Sequence, residues 1–245
     1  MKTVLKINKF LFAFLFIGGI FLICDNEYRN TYGEELKENK DTELILLDPG
    51  HGGFDGGAEV NGIKEKEINL SIGLVLKEEL VKSGYRVAMT REKDEAVKLD
   101  KSKHKTRKSE DLEARCKMKD ESNCSMFISI HMNTFSESKY SGAQVWYSKN
   151  QESKIFASII QKNFKEKIDS DNNRVEKAAM DSYKVLRCSD GIPAVIVECG
   201  FLSNPQEREK LNDECYQKKI SETIAKAVNE YYLGKYKAGI SKQAQ

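Results

Sequence analysis

The sequence feature that most constrains the fold is the segment Leu44–Gly53. An apolar run of strand length ends there at Asp48-Pro49-Gly50 and is followed directly by His51 and two glycines. Such a run opening into a glycine-rich loop is typical of a buried strand. In α/β proteins, side chains at the carboxyl ends of strands face the crevice where ligands bind. We therefore predict that His51 lies at the rim of a core with its imidazole available to a ligand.

The segment after this loop predicts a β-loop-α-β unit. Apolar residues from Ile68 to Leu80 recur at three- and four-residue spacing, Gly84 is suited to end the helix, and 85–90 predicts a second strand. Later segments predict further strands and helices: strands at 125–130, 142–148, 183–187 and 193–197, and helices over 109–119 (with Ser109 as N-cap), 151–168 and 216–233. We predict a single three-layer α/β domain with a mostly parallel central sheet of about six strands flanked by helices.

The amino-terminal residues predict export. Three lysines precede an uncharged apolar stretch over 10–24, so residues 1–24 form a signal sequence or an N-terminal membrane anchor. No A-x-A cleavage site is visible, and both alternatives stay open; an anchor would contact the membrane. We expect a linker over 25–42, a folded domain over 43–234, a polar tail over 235–245 and an extracytoplasmic location.

Composition excludes some classes of protein. A net charge of +2 gives no reason to expect nucleic acid as a partner, and the basic run 98–108, which contains His104, predicts a solvated loop without a metal ligand. The six cysteines form no C-x-x-C pair, which excludes the usual zinc-ribbon spacing. We expect most of them to be small buried hydrophobes and leave a single disulfide open.

Three predicted strands end on residues that can bind a metal or move a proton: His51, His131 and Glu198. If these strands are parallel neighbours, the three side chains meet at one edge of the sheet. Two histidines and one carboxylate form the ligand set of many catalytic zinc sites. Glu198 follows an apolar run, where burial raises the pKa of a carboxyl, so it is suited to act as a general base. Three acids remain candidates for the third ligand: Asp55, Glu65 and Glu67.

Four motifs in chain order carry a resemblance to a known family. They are Leu47-Asp-Pro-Gly-His51-Gly-Gly-x-Asp-x-Gly-Ala, Lys64-Glu65-Lys66 leading into Asn69-Leu70, Ser129-Ile-His131-x-Asn133, and Val197-Glu198-x-Gly-Phe-Leu-Ser-Asn204. Together they closely resemble the zinc-dependent N-acetylmuramoyl-L-alanine amidases of the amidase-3 family. The resemblance covers about residues 43–233, which is essentially the whole predicted domain.

The resemblance implies a role for each site residue. Zn²⁺ is expected on His51, Glu65 and His131, with Glu198 as the catalytic glutamate. Arg91 and Asn133 become candidates for substrate contact; the alternatives are a structural ion pair for Arg91 and orientation of His131 by Asn133.

The resemblance also implies a reaction and partners. The expected reaction is hydrolysis of the amide bond between the lactyl group of N-acetylmuramic acid and L-alanine of the stem peptide in peptidoglycan. A lone catalytic domain behind a signal or anchor most resembles the spore-cortex members of the family. Because no separate wall-binding domain is visible, we expect the enzyme to depend on an activating or localising protein partner, or on its N-terminal segment for localisation.

Two alternatives belong to other functional classes. One is a zinc carboxypeptidase-like peptidase, which needs a positively charged pocket for a terminal carboxylate. The other is a non-catalytic wall-binding module of the same fold. The intact set of His51, Glu65, His131 and Glu198 argues against the second alternative, because a binding module needs no general base.

Overall fold

The structure, a computed structural model, describes Lys40 and residues 42–98 and 106–243, with side chains through residue 238. Residues 41–245 form one unit. The predicted signal or anchor, nearly all of the predicted linker and His104 lie outside the described residues. Within the described part of the chain, no helix combines the length and the apolar character needed to cross a membrane.

A six-stranded sheet forms the centre of the domain. Its strands are β1 (Leu44–Pro49), β4 (Arg86–Met89), β5 (Met126–Asn133), β6 (Gln144–Tyr147), β7 (Lys177–Ala178) and β8 (Ala194–Phe201), in the spatial order β4-β1-β5-β8-β6-β7. Strands β4, β1, β5 and β8 are parallel, and β6 runs antiparallel to β8. The carboxyl ends of β1, β5 and β8 therefore meet at the same edge of the sheet.

Helices cover both faces of the sheet, and a small hairpin precedes the first of them. The hairpin strands are β2 (Glu59–Val60) and β3 (Ile63–Lys64); the helices are α1 (Glu65–Lys82), α2 (Arg107–Glu121), α3 (Gln151–Lys167), α4 (Lys184–Arg187), α5 (Pro205–Leu211) and α6 (Glu214–Gln243). The larger core cluster joins α1, α3 and α6 to one face of the sheet, and a smaller cluster lies on the other face with α4. This arrangement confirms the predicted three-layer α/β fold.

The two faces of the sheet differ near the carboxyl ends of the strands. Side chains alternate between faces along a strand, so residues two apart share a face. Leu46, Phe127 and Ile196 belong to the smaller core cluster. Two residues further along their strands come Asp48, Ser129 and Glu198. The smaller face thus changes from apolar to polar toward the edge where the candidate site lies.

Three local predictions were wrong. Residues 183–187 were predicted as a strand because of their tyrosine, valine and leucine, but 184–187 form the single helical turn α4 and Tyr183 is its N-cap. Helix α2 is capped by Thr106, whose hydroxyl accepts from the Ser109 amide at 3.1 Å, so Ser109 is not its N-cap. The final helix, predicted to end at residue 233, continues to Gln243, and Tyr236 in this extension stacks on Tyr232 with the ring centroids 5.8 Å apart.

The cysteines divide between packing and covalent bonding. Cys124 and Cys199 are buried thiols, as predicted for small hydrophobes, whereas Cys215 is exposed. Cys116 and Cys188 form a disulfide that joins α2 to the residue after α4. The disulfide left open by the sequence is therefore present in the structure. It links two elements whose residues border the candidate site.

Candidate metal centre

His51 lies where the chain turns away from β1. Its backbone adopts a positive φ of 62°, in the left-handed region that a non-glycine residue seldom occupies. Its Nδ1 lies 3.0 Å from Asp55 Oδ2, and its Nε2 lies 3.3 Å from Glu65 Oε2. The Asp55 carboxylate thus holds one ring nitrogen, and the other faces the centre of the site. A carboxylate on the remote nitrogen of a histidine is a common support for a metal ligand.

His131 packs directly on Gly50. A Cβ added at Gly50 would come within 2.2 Å of the His131 ring, so only glycine allows this close approach. The Nδ1 of His131 lies 2.9 Å from Glu65 Oε1. The two imidazole rings meet edge to face with their centroids 5.0 Å apart. The ends of β1 and β5 therefore bring both histidines to one carboxylate, as expected from parallel neighbouring strands.

Glu65 is the first residue of α1 and is buried. Besides its contacts with the two histidines, its carboxylate accepts from the backbone amides of Ala58 at 2.9 Å and Met132 at 3.0 Å. Burial alone raises the pKa of Glu65, but the hydrogen bonds and positive charge of His131 and His51 outweigh it and hold the pKa well below its usual range. The carboxylate is therefore ionised.

The geometry distinguishes among Asp55, Glu65 and Glu67, the three acids that remained candidates for the third ligand. Donor atoms of His51, Glu65 and His131 all lie within 4.8 Å of one another. Asp55 lies behind His51, and Glu67 is exposed on α1. Two imidazoles and one carboxylate match the donor set of a catalytic divalent metal that keeps a position free for water. These three side chains fit such an ion.

Glu198 lies beside this cluster on β8, opposite His131 in the strand register. Its Oε2 is buried and has no hydrogen-bond partner among the described residues. Burial raises the pKa of Glu198 to about 7; the negative charge of Glu65 acts in the same direction, whereas His131 and His51 oppose it. A carboxyl group with this pKa can take up and release a proton near neutral pH.

A buried ionic network supports the loop that carries His51. Asp48 accepts hydrogen bonds from the hydroxyls of Thr90 and Ser129, both at 2.7 Å, and pairs with Arg115. Arg115, from α2, also donates to the His51 carbonyl at 2.7 Å. Sequence reasoning missed this network. Its one visible signal was Asp48, an acid placed directly after four aliphatic residues of a buried strand.

Arg91 does not line the candidate site. It is buried, and its guanidinium donates to the backbone carbonyls of Pro49 at 2.9 Å, Gly50 at 3.0 Å and Lys66 at 2.8 Å. These contacts give Arg91 a structural role, and its contact with substrate stays a prediction. The acceptors described for its guanidinium are backbone carbonyl oxygens, and through them Arg91 fixes the loop between β1 and α1.

A groove opens above the cluster. Its volume is about 380 Å³. Its walls come from the edge of the sheet, from α2, and from α4 with the residue before it. The principal lining residues are His51, Glu65, His131, Asn133, Glu198, Lys108, Asp111, Arg115, Tyr183 and Lys184. Asn133 ends β5, just after an irregularity in the β5–β8 register. The structure thus places Asn133 on the groove wall.

Comparison with known proteins identifies the family. Residues 45–230 match the sequence model of the N-acetylmuramoyl-L-alanine amidase family, Amidase_3. The chain belongs to this family. It is 33% identical over 237 residues to the germination-specific N-acetylmuramoyl-L-alanine amidase of Bacillus subtilis (strain 168), and the match covers 96% of this chain and 98% of that relative.

Solved structures of amidases share the fold. The CwlD amidase from Clostridioides difficile, solved in complex with the GerS lipoprotein, matches with a TM-score of 0.74 and 41% identity over 78% of this chain and 98% of that chain. An N-acetylmuramoyl-L-alanine amidase from Clostridium difficile 630 matches with a TM-score of 0.68 and 28% identity, over 78% of this chain and 97% of that one.

Family membership confirms the predicted enzyme class. The chain is a peptidoglycan hydrolase of the N-acetylmuramoyl-L-alanine amidase type. Enzymes of this family are metal-dependent, and the cluster of His51, Glu65 and His131 is the candidate metal site of this chain. The carboxypeptidase and binding-module alternatives lose their support.

Proposed function

We propose that this chain is a zinc amidase that cleaves the bond between muramic acid and L-alanine in the spore cortex, outside the cytoplasm. In this proposal His51, Glu65 and His131 hold the zinc, and Glu198 is the general base. The observation that carries the assignment is the unpartnered, buried Oε2 of Glu198 beside three convergent metal donors. A buried carboxyl oxygen without a hydrogen bond costs stability, and a catalytic role is one explanation for keeping such a group.

The donor chemistry supports zinc as the metal. Zinc accepts nitrogen and oxygen donors at four-coordinate sites, and three protein ligands leave one position for water or substrate. When bound, zinc acidifies a coordinated water and polarises the substrate carbonyl. Asp55 keeps the Nδ1 of His51 hydrogen-bonded, so that Nε2 is the nitrogen presented to the ion.

Proton transfer is the work of Glu198. With a pKa near 7, its carboxylate takes the proton of the water that attacks the lactyl carbonyl. The same carboxyl then returns the proton to the departing amine of L-alanine. Burial of Glu198 favours the first of these steps, because it raises the proton affinity of the carboxylate. The stem peptide leaves with a free amino terminus, and the glycan strand keeps an unsubstituted lactyl group.

Similarity to two relatives supports the cellular role. One relative is a germination-specific amidase, and another is an amidase solved in complex with a lipoprotein. The positively charged and apolar residues 1–24 support export by a signal or an anchor. We propose that this chain acts on cortex peptidoglycan and is activated or localised by an exported protein partner.

Digestion of purified peptidoglycan tests the proposal. The purified chain is incubated with zinc and with either vegetative or cortex peptidoglycan, and the products are identified by mass spectrometry. We expect muramic acid residues without peptide, matched by peptides with amino-terminal L-alanine, in greater yield from cortex. Release of terminal amino acids alone would support a carboxypeptidase, and binding to peptidoglycan without products would support a wall-binding module. Metal analysis of the same sample checks the zinc assignment.

A further inference from the structure

Tyr183 lines the same groove as Glu198 and His131, although neither the motifs nor the mechanism uses it. It directly precedes α4 and is half-buried. Its hydroxyl forms no hydrogen bond with any residue in the described part of the chain, and it is not among the polar atoms closed off from solvent. A tyrosine hydroxyl in such a groove is an available donor.

The segment that carries Tyr183 is firmly held. The Tyr183 ring packs against the Trp146 ring, with the two centroids 5.6 Å apart. The disulfide between Cys116 and Cys188 ties the end of α4 to α2, and Lys119 Nζ donates to the Cys188 carbonyl at 2.7 Å. A donor fixed in this way loses little conformational freedom when a ligand binds. The tyrosine on the wall of the groove is therefore preorganised.

The hydroxyl stays protonated at neutral pH. Burial, together with the charge of Glu198, raises the pKa of Tyr183 to about 12. The hydroxyl does not donate to Glu198, because no hydrogen bond joins the two side chains and Glu198 Oε2 has no partner among the residues described. The donor is therefore available to whatever occupies the groove.

We propose that Tyr183 is a substrate-binding residue whose hydroxyl donates a hydrogen bond to a carbonyl oxygen of the muropeptide bound beside Glu198. This inference rests on the proposed function, since a muropeptide supplies lactyl and peptide carbonyls along the groove. The alternative is that Tyr183 serves only to cover Trp146. The two roles differ in which atoms matter: substrate binding needs the hydroxyl, whereas packing needs the ring alone.

Tyr183→Phe separates these roles, because it removes the hydroxyl and keeps the ring. Tyr147→Phe is the matched control, since Tyr147 packs against the core cluster on the opposite face of the sheet. We expect Tyr183→Phe to lower kcat/KM on a soluble muropeptide about tenfold, as for the loss of one hydrogen bond, and Tyr147→Phe to leave it unchanged. Thermal unfolding and zinc content should match the unsubstituted protein in both variants.

A binding measurement keeps this test separate from that of the proposed function. Isothermal titration of the same muropeptide into Glu198→Gln protein, with and without Tyr183→Phe, should show about tenfold weaker binding when the hydroxyl is absent. Equal affinities would overturn the inference even if the unsubstituted chain hydrolyses peptidoglycan. A shifted acidic limb of the kcat–pH profile at unchanged affinity would also overturn it, because the hydroxyl would then act through Glu198. If the unsubstituted chain neither binds nor cleaves the muropeptide, the proposed function and this inference both fail.

Discussion

Two buried glutamates at the same edge of the sheet have opposite surroundings. Glu65 contacts two imidazoles and accepts from two backbone amides, which hold its pKa well below the usual range. Glu198 has an orphaned Oε2, and burial raises its pKa to about 7. Residue type alone therefore does not determine the role of a buried glutamate. The hydrogen bonds around Glu65 favour a permanent anion, and their absence around Glu198 favours a carboxyl that exchanges protons.

The local structure explains why the two settings differ. Glu65 begins α1, where backbone amides and the positive end of the helix dipole favour negative charge. Glu198 lies within β8, a strand in which every residue is buried and the backbone groups are used by the sheet. A helix start therefore stabilises one carboxylate, while a central strand leaves the other without compensation.

The largest expected effect comes from Glu198→Gln. Without a general base, kcat should fall by about 10²- to 10⁴-fold. Zinc content should stay at the level of the unsubstituted protein, because Glu198 lies outside the donor cluster of His51, Glu65 and His131. Steady-state kinetics on a soluble muropeptide gives the rate. A variant with more than a tenth of the original kcat would show that proton transfer uses another group.

The pH dependence of stability should reveal the raised pKa of Glu198. In metal-free protein, the folded state keeps a proton on Glu198 between pH 4.5 and about 7, whereas the unfolded chain releases it. The stabilising contribution of Glu198 to the free energy of unfolding is therefore fully present below pH 4.5 and is lost as the pH rises to about 7. Glu198→Gln removes the dependence and should be more stable than the unsubstituted chain at pH 8 by about 3 kcal/mol, the equivalent of this pKa difference.

Urea unfolding at pH 4.5 and pH 8 in the presence of a chelator measures this effect. Comparison of the variant with the unsubstituted chain cancels the titration of other groups. The stability difference between them should grow with pH. A difference that is constant with pH would mean that Glu198 is ionised in the folded protein, and the contrast with Glu65 would be lost.

Asp55→Ala tests the support of the metal ligands. Removal of the carboxylate from His51 Nδ1 should lower zinc affinity about 10- to 100-fold, the usual range for a residue that hydrogen-bonds to a ligand. Competition with a zinc-binding dye gives the affinity, and added zinc should restore activity. Asp120→Ala, which changes an exposed acid of α2, is the control. Unaltered zinc affinity in Asp55→Ala would mean that the Glu65 contacts alone fix the ring.

The smallest expected effect is that of Asn133→Ala. Asn133 is on the groove wall, and loss of one hydrogen bond to substrate should raise KM about fivefold while zinc content is retained. If zinc affinity falls and KM does not change, Asn133 orients His131 and contacts no substrate. The end of β5 would then support only the metal site and contribute no contact with substrate.

Much of the site could be predicted because it depends on strand ends. His51, His131 and Glu198 each follow an apolar run, and parallel strands bring such positions to one edge. Glu65 could not be chosen over Asp55 by that logic, since the choice depends on how the loop after β1 folds back. The family resemblance favoured Glu65, and the structure brings that carboxylate to both imidazoles.

The features that escaped prediction depend on contacts between distant segments. Arg115 on α2 reaches Asp48 across 67 residues, and the Cys116–Cys188 disulfide spans 72. Local pattern contains no information on such pairings. Residues 183–187 have strand-like composition, but the disulfide and Lys119 hold them against α2 as a helical turn. Tertiary contacts outweighed local preference there.

We propose that Glu65 holds the metal and that Glu198 moves the proton. Side-by-side measurement of zinc content and kcat in identically prepared Glu65→Gln and Glu198→Gln proteins distinguishes these roles. We expect Glu65→Gln to lose both zinc and hydrolysis, and Glu198→Gln to keep zinc and lose only hydrolysis. Loss of zinc in Glu198→Gln, with zinc retained in Glu65→Gln, would show that the two roles are exchanged.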